Sequence, residues 1–179
     1  MKDIKVLVIS GISGAGKSTL GEGLRDHLES LGQKVKVLDG DMMRTFFDGE
    51  LKYSSKDRLM VSKILAHVAF HLSSQGIFVI LATMLSQPGA REFLGQKVKF
   101  KEIFLDAKLE LCMKNDKKQI YKNALSLDKP NIVGHDLGFS KPQEADLVLK
   151  THVESPEESL KKIIYYLSSN NLFGLTLKN

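Results

Sequence analysis

The segment "IKVLVISGISGAGKST" confines the possible folds more than any other part of the chain. Ile4–Ser10 is apolar on both faces, the pattern of a strand buried in a parallel sheet, and it runs straight into a glycine-rich turn and then a helical pattern. Within it Gly11, Gly16, Lys17 and Ser18 fit the G-x-x-x-x-G-K-[ST] spacing, in the strand, loop, helix setting that gives the motif its meaning. The glycines let the backbone curl until several N–H groups converge, and the helix opening near Lys17 adds the positive end of its dipole. Gly11, Ser13, Gly14, Ala15, Gly16, Lys17, Ser18 and Thr19 thus form a candidate cradle for the β-phosphate end of ATP or a relative. Lys17 would neutralise the β- and γ-phosphates, and the Ser18 hydroxyl would ligate Mg²⁺.

Four more short apolar runs follow: Lys34–Asp39, Ile77–Thr83, Lys99–Asp106 and Ala145–Lys150. Helical spacing occupies Lys17–Leu31, Ser55–Gln75, Ala107–Asp116 and Pro156–Ser169. The alternation predicts an α/β fold: a five-stranded parallel sheet with right-handed crossovers and helices on both faces. Ser54 with Asp57 three residues on resembles a capping box, and Gly76 stands where the second helix would stop. Residues 116–141, with Pro130, Gly134 and Gly138, are the least regular and read as a flap or a surface loop. Without repeats or linkers, the 179 residues fit one domain spanning 1–179.

The net charge of +5 suits an anionic partner. The densest lysines lie in the single segment "KNDKKQIYK", without interleaved aromatics, which favours a small nucleotide over nucleic acid. No apolar run approaches a membrane span, and the N-terminus ends in a turn rather than a cleavage site, so the reading is a cytoplasmic protein without membrane contact. Cys112, the only cysteine, excludes an internal disulfide and reads as a small buried residue on a helix. His67 and His71 have metal-ligand spacing but lack the glutamate of a zinc-protease motif, and read as core or boundary histidines. His135 reads as a solvated loop histidine or an acceptor contact. Leu172, Phe173, Leu175 and Leu177 are too apolar for an idle tail and must pack on the core or meet a partner.

A phosphate cradle alone does not separate a hydrolysing switch from a kinase. In "LDGDMMR", Asp39 and Asp41 follow the second strand at the edge where α/β sheets bind ligands, and Arg44 lies one helical turn beyond Asp41. A carboxylate there can take a proton from an attacking hydroxyl or hold a metal through water, and an arginine can fork onto an anionic acceptor.

"GISGAGKST", "VLDGDMMR", "SSKDR", "FLDAKLELC", "DKKQIYKNA" and "ADLVL" follow one another in the order and spacing of adenylyl-sulfate kinases, and the resemblance covers about residues 3–150. It implies a P-loop kinase fold with a lid, use of Mg·ATP, phosphorylation of the ribose 3′-hydroxyl of adenosine 5′-phosphosulfate, and homodimers. By position, Asp41 resembles the acid beside the accepting hydroxyl, and Arg44 and Arg58 resemble the arginines that hold the acceptor nucleotide. Lys118 and Tyr121 match the lid motif. Ser86 aligns with the family's phosphoserine position, although as a residue it also reads as the cap of a helix starting near Pro88.

The departures gather on the acceptor side. The family's D-R-x-x-N-x-R-R reads "DRLMVSKI", with Val61, Lys63 and Ile64 in place of Asn and two Arg. "SQPGAR" displaces the proline after the serine and puts Gly89 where an arginine is expected. Asn115, Asp116 and Lys117 replace Arg-Asp-Pro before the lid motif. Ile132 stands where the family has the phenylalanine that stacks on the acceptor base, a contact that contributes on the order of 1–3 kcal/mol in nucleic-acid binders. An intact donor side with a rewritten acceptor side also resembles the cytidine diphosphoramidate kinases of bacterial capsule biosynthesis. A non-catalytic ATP-binding regulatory protein is the third reading.

Overall fold

The computed structural model describes residues 4–48, 50–114, 116, 119–125 and 132–175. Five strands form its sheet: β1 (Val6–Ser10), β2 (Val35–Asp39), β3 (Phe78–Ala82), β4 (Phe100–Leu105) and β5 (Leu147–Leu149). They lie in the order β2-β3-β1-β4-β5 and every pairing is parallel. The helices are α1 (Lys17–Ser30), α2 (Gly40–Thr45), α3 (Ser55–Ser74), α4 (Ala90–Lys97), α5 (Leu109–Lys114), α6 (Ile120–Leu125) and α7 (Pro156–Ser169).

The alternation of side chains along β1 divides the core between two faces. Leu7 and Ile9 join Leu20, Leu24 and Leu28 of α1 and Ile163 and Leu167 of α7 on one face. Val6 and Val8 join Val61, Leu65, Ala66 and Ala69 of α3 and Leu94 of α4 on the other. Burial on both faces is why β1 and β3 read as unbroken apolar runs.

Ser54 caps α3, its hydroxyl accepting from the Asp57 N–H at 3.2 Å and donating to the Asp57 carboxylate at 2.7 Å. Asp57 is one methylene shorter than the glutamate of a full box and meets the Ser54 hydroxyl. At α7 Ser155 and Glu158 close the complete capping box. Helix α5 is shorter than the helical pattern implied, and β5 is trimmed at both ends. Helix α4 begins at Ala90, with Gly89 as its N-cap at φ 78°, so Ser86 is too early to cap it and the capping reading is corrected.

The apolar tail folds back on the core. Phe173 is fully buried and stacks on Phe78 with ring centroids 4.7 Å apart, and Leu172 and Leu175 are buried beside it. Leu177 lies outside the described residues. No helix among the described residues is long and apolar enough to cross a membrane. The stacked pair anchors the tail, so Phe173→Ala should lower the unfolding free energy by about 3–5 kcal/mol, read from urea denaturation at an unchanged m-value.

Candidate active site

The C-terminal ends of the strands open into one cleft of about 1410 Å³, with the phosphate loop at its centre. Gly11 turns the chain against β4: a Cβ there would lie 2.9 Å from the Leu105 carbonyl oxygen. Gly14 is held at φ 74°, and a Cβ there would lie 3.2 Å from that of Cys112. Cys112 is buried beneath the loop, and burial raises its thiol pKa, so it packs as a neutral small residue. The Lys17 ammonium donates to the Ile12 carbonyl at 2.7 Å and so lies folded over the loop's own backbone.

Asp39 joins the loop to the second strand. One carboxylate oxygen accepts from the Ser18 hydroxyl at 2.7 Å, and the other accepts from the Asp41 N–H at 2.7 Å, capping α2. Asp39 therefore touches both the phosphate loop's helix and the start of α2.

Another part of the cleft lining is a pair of cations on an aromatic ring. Arg44 donates from Nε to the Lys52 carbonyl and from Nη1 to the Gly40 carbonyl, both at 3.1 Å, and Nη1 is 3.5 Å from the Asp41 carboxylate. Arg58 is buried on α3 and donates from Nε to the Tyr53 carbonyl at 2.8 Å. The Tyr53 ring carries both guanidiniums, at 4.5 and 5.4 Å from its centroid, and half of the residue stays exposed in the cleft. Burial first, and the charge of Arg44 second, hold the Arg58 pKa below its ordinary value. Two neighbouring cations make a stretch of cleft lining that an anion stabilises. Sequence reasoning missed Tyr53; its signal was an aromatic beside a basic residue, just ahead of the α3 cap.

Beyond the loop the cleft runs between Lys108, Leu111 and Cys112 on one side and Thr151, His152 and Pro156 on the other. Single small-molecule sites run to about 300–1,000 Å³, so the whole cleft has room for two ligands meeting at the loop.

The family model for adenylylsulphate kinase matches residues 3–150. A probable adenylyl-sulfate kinase of Pseudomonas aeruginosa is 34% identical over 160 residues, covering 89% of this chain and 75% of the relative. The adenylyl-sulfate kinase of Paraburkholderia xenovorans is 34% identical over 167 residues, covering 90% and 92%. Among solved structures, the Mycobacterium tuberculosis APS kinase in complex with AMPPNP and APS superimposes with a TM-score of 0.85 at 28% identity, covering 93% of this chain and 99% of that one. The chain belongs to the adenylyl-sulfate kinase family.

Within this adenylyl-sulfate kinase fold the departures at the acceptor side separate by position. Val61 and Ile132 line the cleft as buried apolar residues. Lys63 is turned away, its ammonium 5.3 Å from the Phe93 ring centroid, and Ile64 packs against the apolar cluster behind α3. Of those three α3 replacements, only Val61 changes the cleft lining.

Ser86 is buried at the cleft wall, with its hydroxyl 3.3 Å from the Gln87 amide nitrogen, which donates to it. What holds its turn is Arg91, a residue sequence reasoning passed over. Arg91 grips both oxygens of Glu102 at 3.0 Å, and its Nη1 donates to the carbonyls of Leu85 at 2.9 Å and Ser140 at 2.6 Å. Glu102, buried in β4, also accepts from the Ser10 hydroxyl at 2.5 Å, just before the phosphate loop. One guanidinium thus fixes the Ser86 turn, the return of the lid segment and the end of β1.

On α6, Tyr121 is buried and donates its hydroxyl to the Ser13 carbonyl of the phosphate loop at 2.7 Å. Lys118 lies outside the described residues. Ile132 and Val133 face the cleft, whereas His135 stands half exposed beside Asp136 at 3.5 Å. His67 lies edge-on to Phe93 and His71 meets Gln75, and no group of three His, Cys, Asp or Glu side chains among the described residues could hold a metal.

Arg91→Gln would leave the Glu102 carboxylate buried without its cation. The variant should lose about 3–5 kcal/mol of unfolding free energy, measured by urea denaturation, with Glu102→Gln in the same background recovering part of it.

Proposed function

We propose that this chain transfers the γ-phosphoryl group of ATP to the ribose 3′-hydroxyl of adenosine 5′-phosphosulfate, with the phosphate loop holding the donor and Arg44 and Arg58 holding the acceptor's anionic end. The observation that carries the reading is that the phosphate loop, Asp41 and the paired arginines line one cleft, with Arg44 3.5 Å from the Asp41 carboxylate. The reaction named for the relatives is the one this arrangement can perform.

Lys17 is placed to move from the Ile12 carbonyl onto the β- and γ-phosphates once they arrive, trading a neutral acceptor for an anionic one. The Ser18 hydroxyl and Asp39 carboxylate supply hard oxygen donors that fit Mg²⁺, which keeps most of its shell as water and phosphate oxygens. When bound, the ion would neutralise charge on the phosphates. Asp41 lies at the start of α2 with Arg44 at 3.5 Å, and in the proposed role its carboxylate accepts the proton of the attacking hydroxyl while Arg44 orients the acceptor. Closure of the segment around Tyr121 and Ile132 would exclude water, the competing nucleophile.

A second reading is favoured by Val61 and Ile132, which make this part of the wall apolar where the family places a donor and an aromatic. On it the acceptor is cytidine diphosphoramidate, whose phosphoramidate is also a small tetrahedral group, and the chain would act in capsule biosynthesis.

A coupled assay of ADP release with each acceptor, with products checked by mass, separates the two. Turnover of the phosphosulfate supports the first reading, turnover of the cytidine compound alone replaces it, and silence from both refutes transfer to either. With the working acceptor, Lys17→Ala should abolish turnover and Asp41→Asn should lower kcat by about 10²-fold or more, whereas a near-normal kcat would remove Asp41 from the chemistry.

A further inference from the structure

We infer that Tyr121 is a positioning residue that sets the orientation of the Ser13–Gly14 peptide, and through it the donor capacity of the phosphate loop. The inference rests on the loop being the nucleotide-phosphate site proposed above.

The peptide unit is planar and trans, so the Ser13 carbonyl and the Gly14 N–H point in opposite directions. The Tyr121 hydroxyl fixes the carbonyl end from 2.7 Å. Gly14 is then left with its N–H directed away from Tyr121, on the side where the loop meets a phosphate. The turn bond from the Ala15 N–H to the Ile12 carbonyl at 3.3 Å spans this peptide without fixing which way it points. Gly14 has φ 74° and no side chain, and a concerted rotation about Ser13 ψ and Gly14 φ would turn the carbonyl oxygen toward the ligand at little steric cost. A flipped peptide removes one donor and places a partial negative charge against an anion. The hydrogen bond from Tyr121 therefore selects between a loop that attracts phosphate and one that partly repels it.

Tyr121 is itself well fixed for this task. Its ring is only 2% exposed and belongs to the apolar cluster that includes Ile12, Cys112 and Ile132. Its backbone N–H and that of Lys122 both donate to one oxygen of Asp116, at 2.7 and 3.1 Å, which ties the start of α6 down. Burial raises the phenol pKa, so the hydroxyl remains a donor throughout the neutral range. The ring arrives from the lid segment, so the hydrogen bond also couples that segment's position to the loop's donor capacity.

Tyr121→Phe removes the hydroxyl and keeps the ring. The test is calorimetric titration of the purified wild-type and variant proteins with AMPPNP and Mg²⁺, together with their unfolding midpoints without nucleotide. The expected result is a Kd weakened by about 3- to 10-fold in the variant, the loss of one hydrogen bond's net worth. A variant that melts lower but binds AMPPNP within about twofold of wild type has lost packing alone, and that result overturns the inference. Wild-type binding with the expected loss in the variant, but no turnover of either acceptor, sustains the loop inference and overturns the kinase reading. Wild-type protein that does not bind AMPPNP overturns both.

Discussion

One carboxylate holds the two halves of the site together. Asp39 ends β2, an edge strand, yet its two oxygens reach the Ser18 hydroxyl on α1 and the N–H of Asp41 on α2. The first contact fixes the phosphate loop's last turn, and the second starts the helix that carries Asp41 and Arg44. The phosphate loop and the helix of Asp41 and Arg44 are therefore referenced to one side chain, so a displacement of β2 moves both together. In-line transfer tolerates little error in the separation of its reacting atoms, and a shared anchor limits that error.

Behind the cleft, a buried ion pair performs a similar task with larger forces. Arg91 and Glu102 are taken from water together, and the guanidinium's remaining donors go to backbone carbonyls of two separate loops. Such a pair adds little net stability compared with an apolar replacement, but it is directional where apolar contacts are not. It makes the Ser86 turn and the Ser140 end of the lid segment neighbours in a single geometry, reinforced by the Ser140 N–H donating to the Ser86 carbonyl at 3.4 Å.

The sheet and its phosphate loop were legible in the sequence because both are repetitive constraints. Strands buried on two faces leave unbroken apolar runs, and the glycines of the loop leave a fixed spacing. Arg44 beside Asp41 was legible from helical periodicity. The rest depends on long-range contacts that local pattern does not encode. Nothing local marks Arg91, because Glu102 reaches it only after β4 is placed. Tyr53 sits in a loop, and its value comes from two arginines that converge on it from different elements. The partners of Asp39 were not legible, because a carboxylate at a strand end can face either way until the neighbouring hydroxyl is placed. Ser86 met the local rule for a helix cap, but Gly89 took that place.

The strand that carries the phosphate loop has no partner near it in the chain. Val6 of β1 pairs with Val79 on one side and with Phe100 on the other. Closing those loops is an entropic cost that the β1 pairings and their burial must offset. The loop's curvature in turn depends on Leu105 and Cys112, which follow still later in the sequence. Nucleotide binding in this architecture is thus a property of the assembled sheet. The loop geometry is therefore complete only with β4 and α5 in place, and nucleotide that binds it stabilises the folded state.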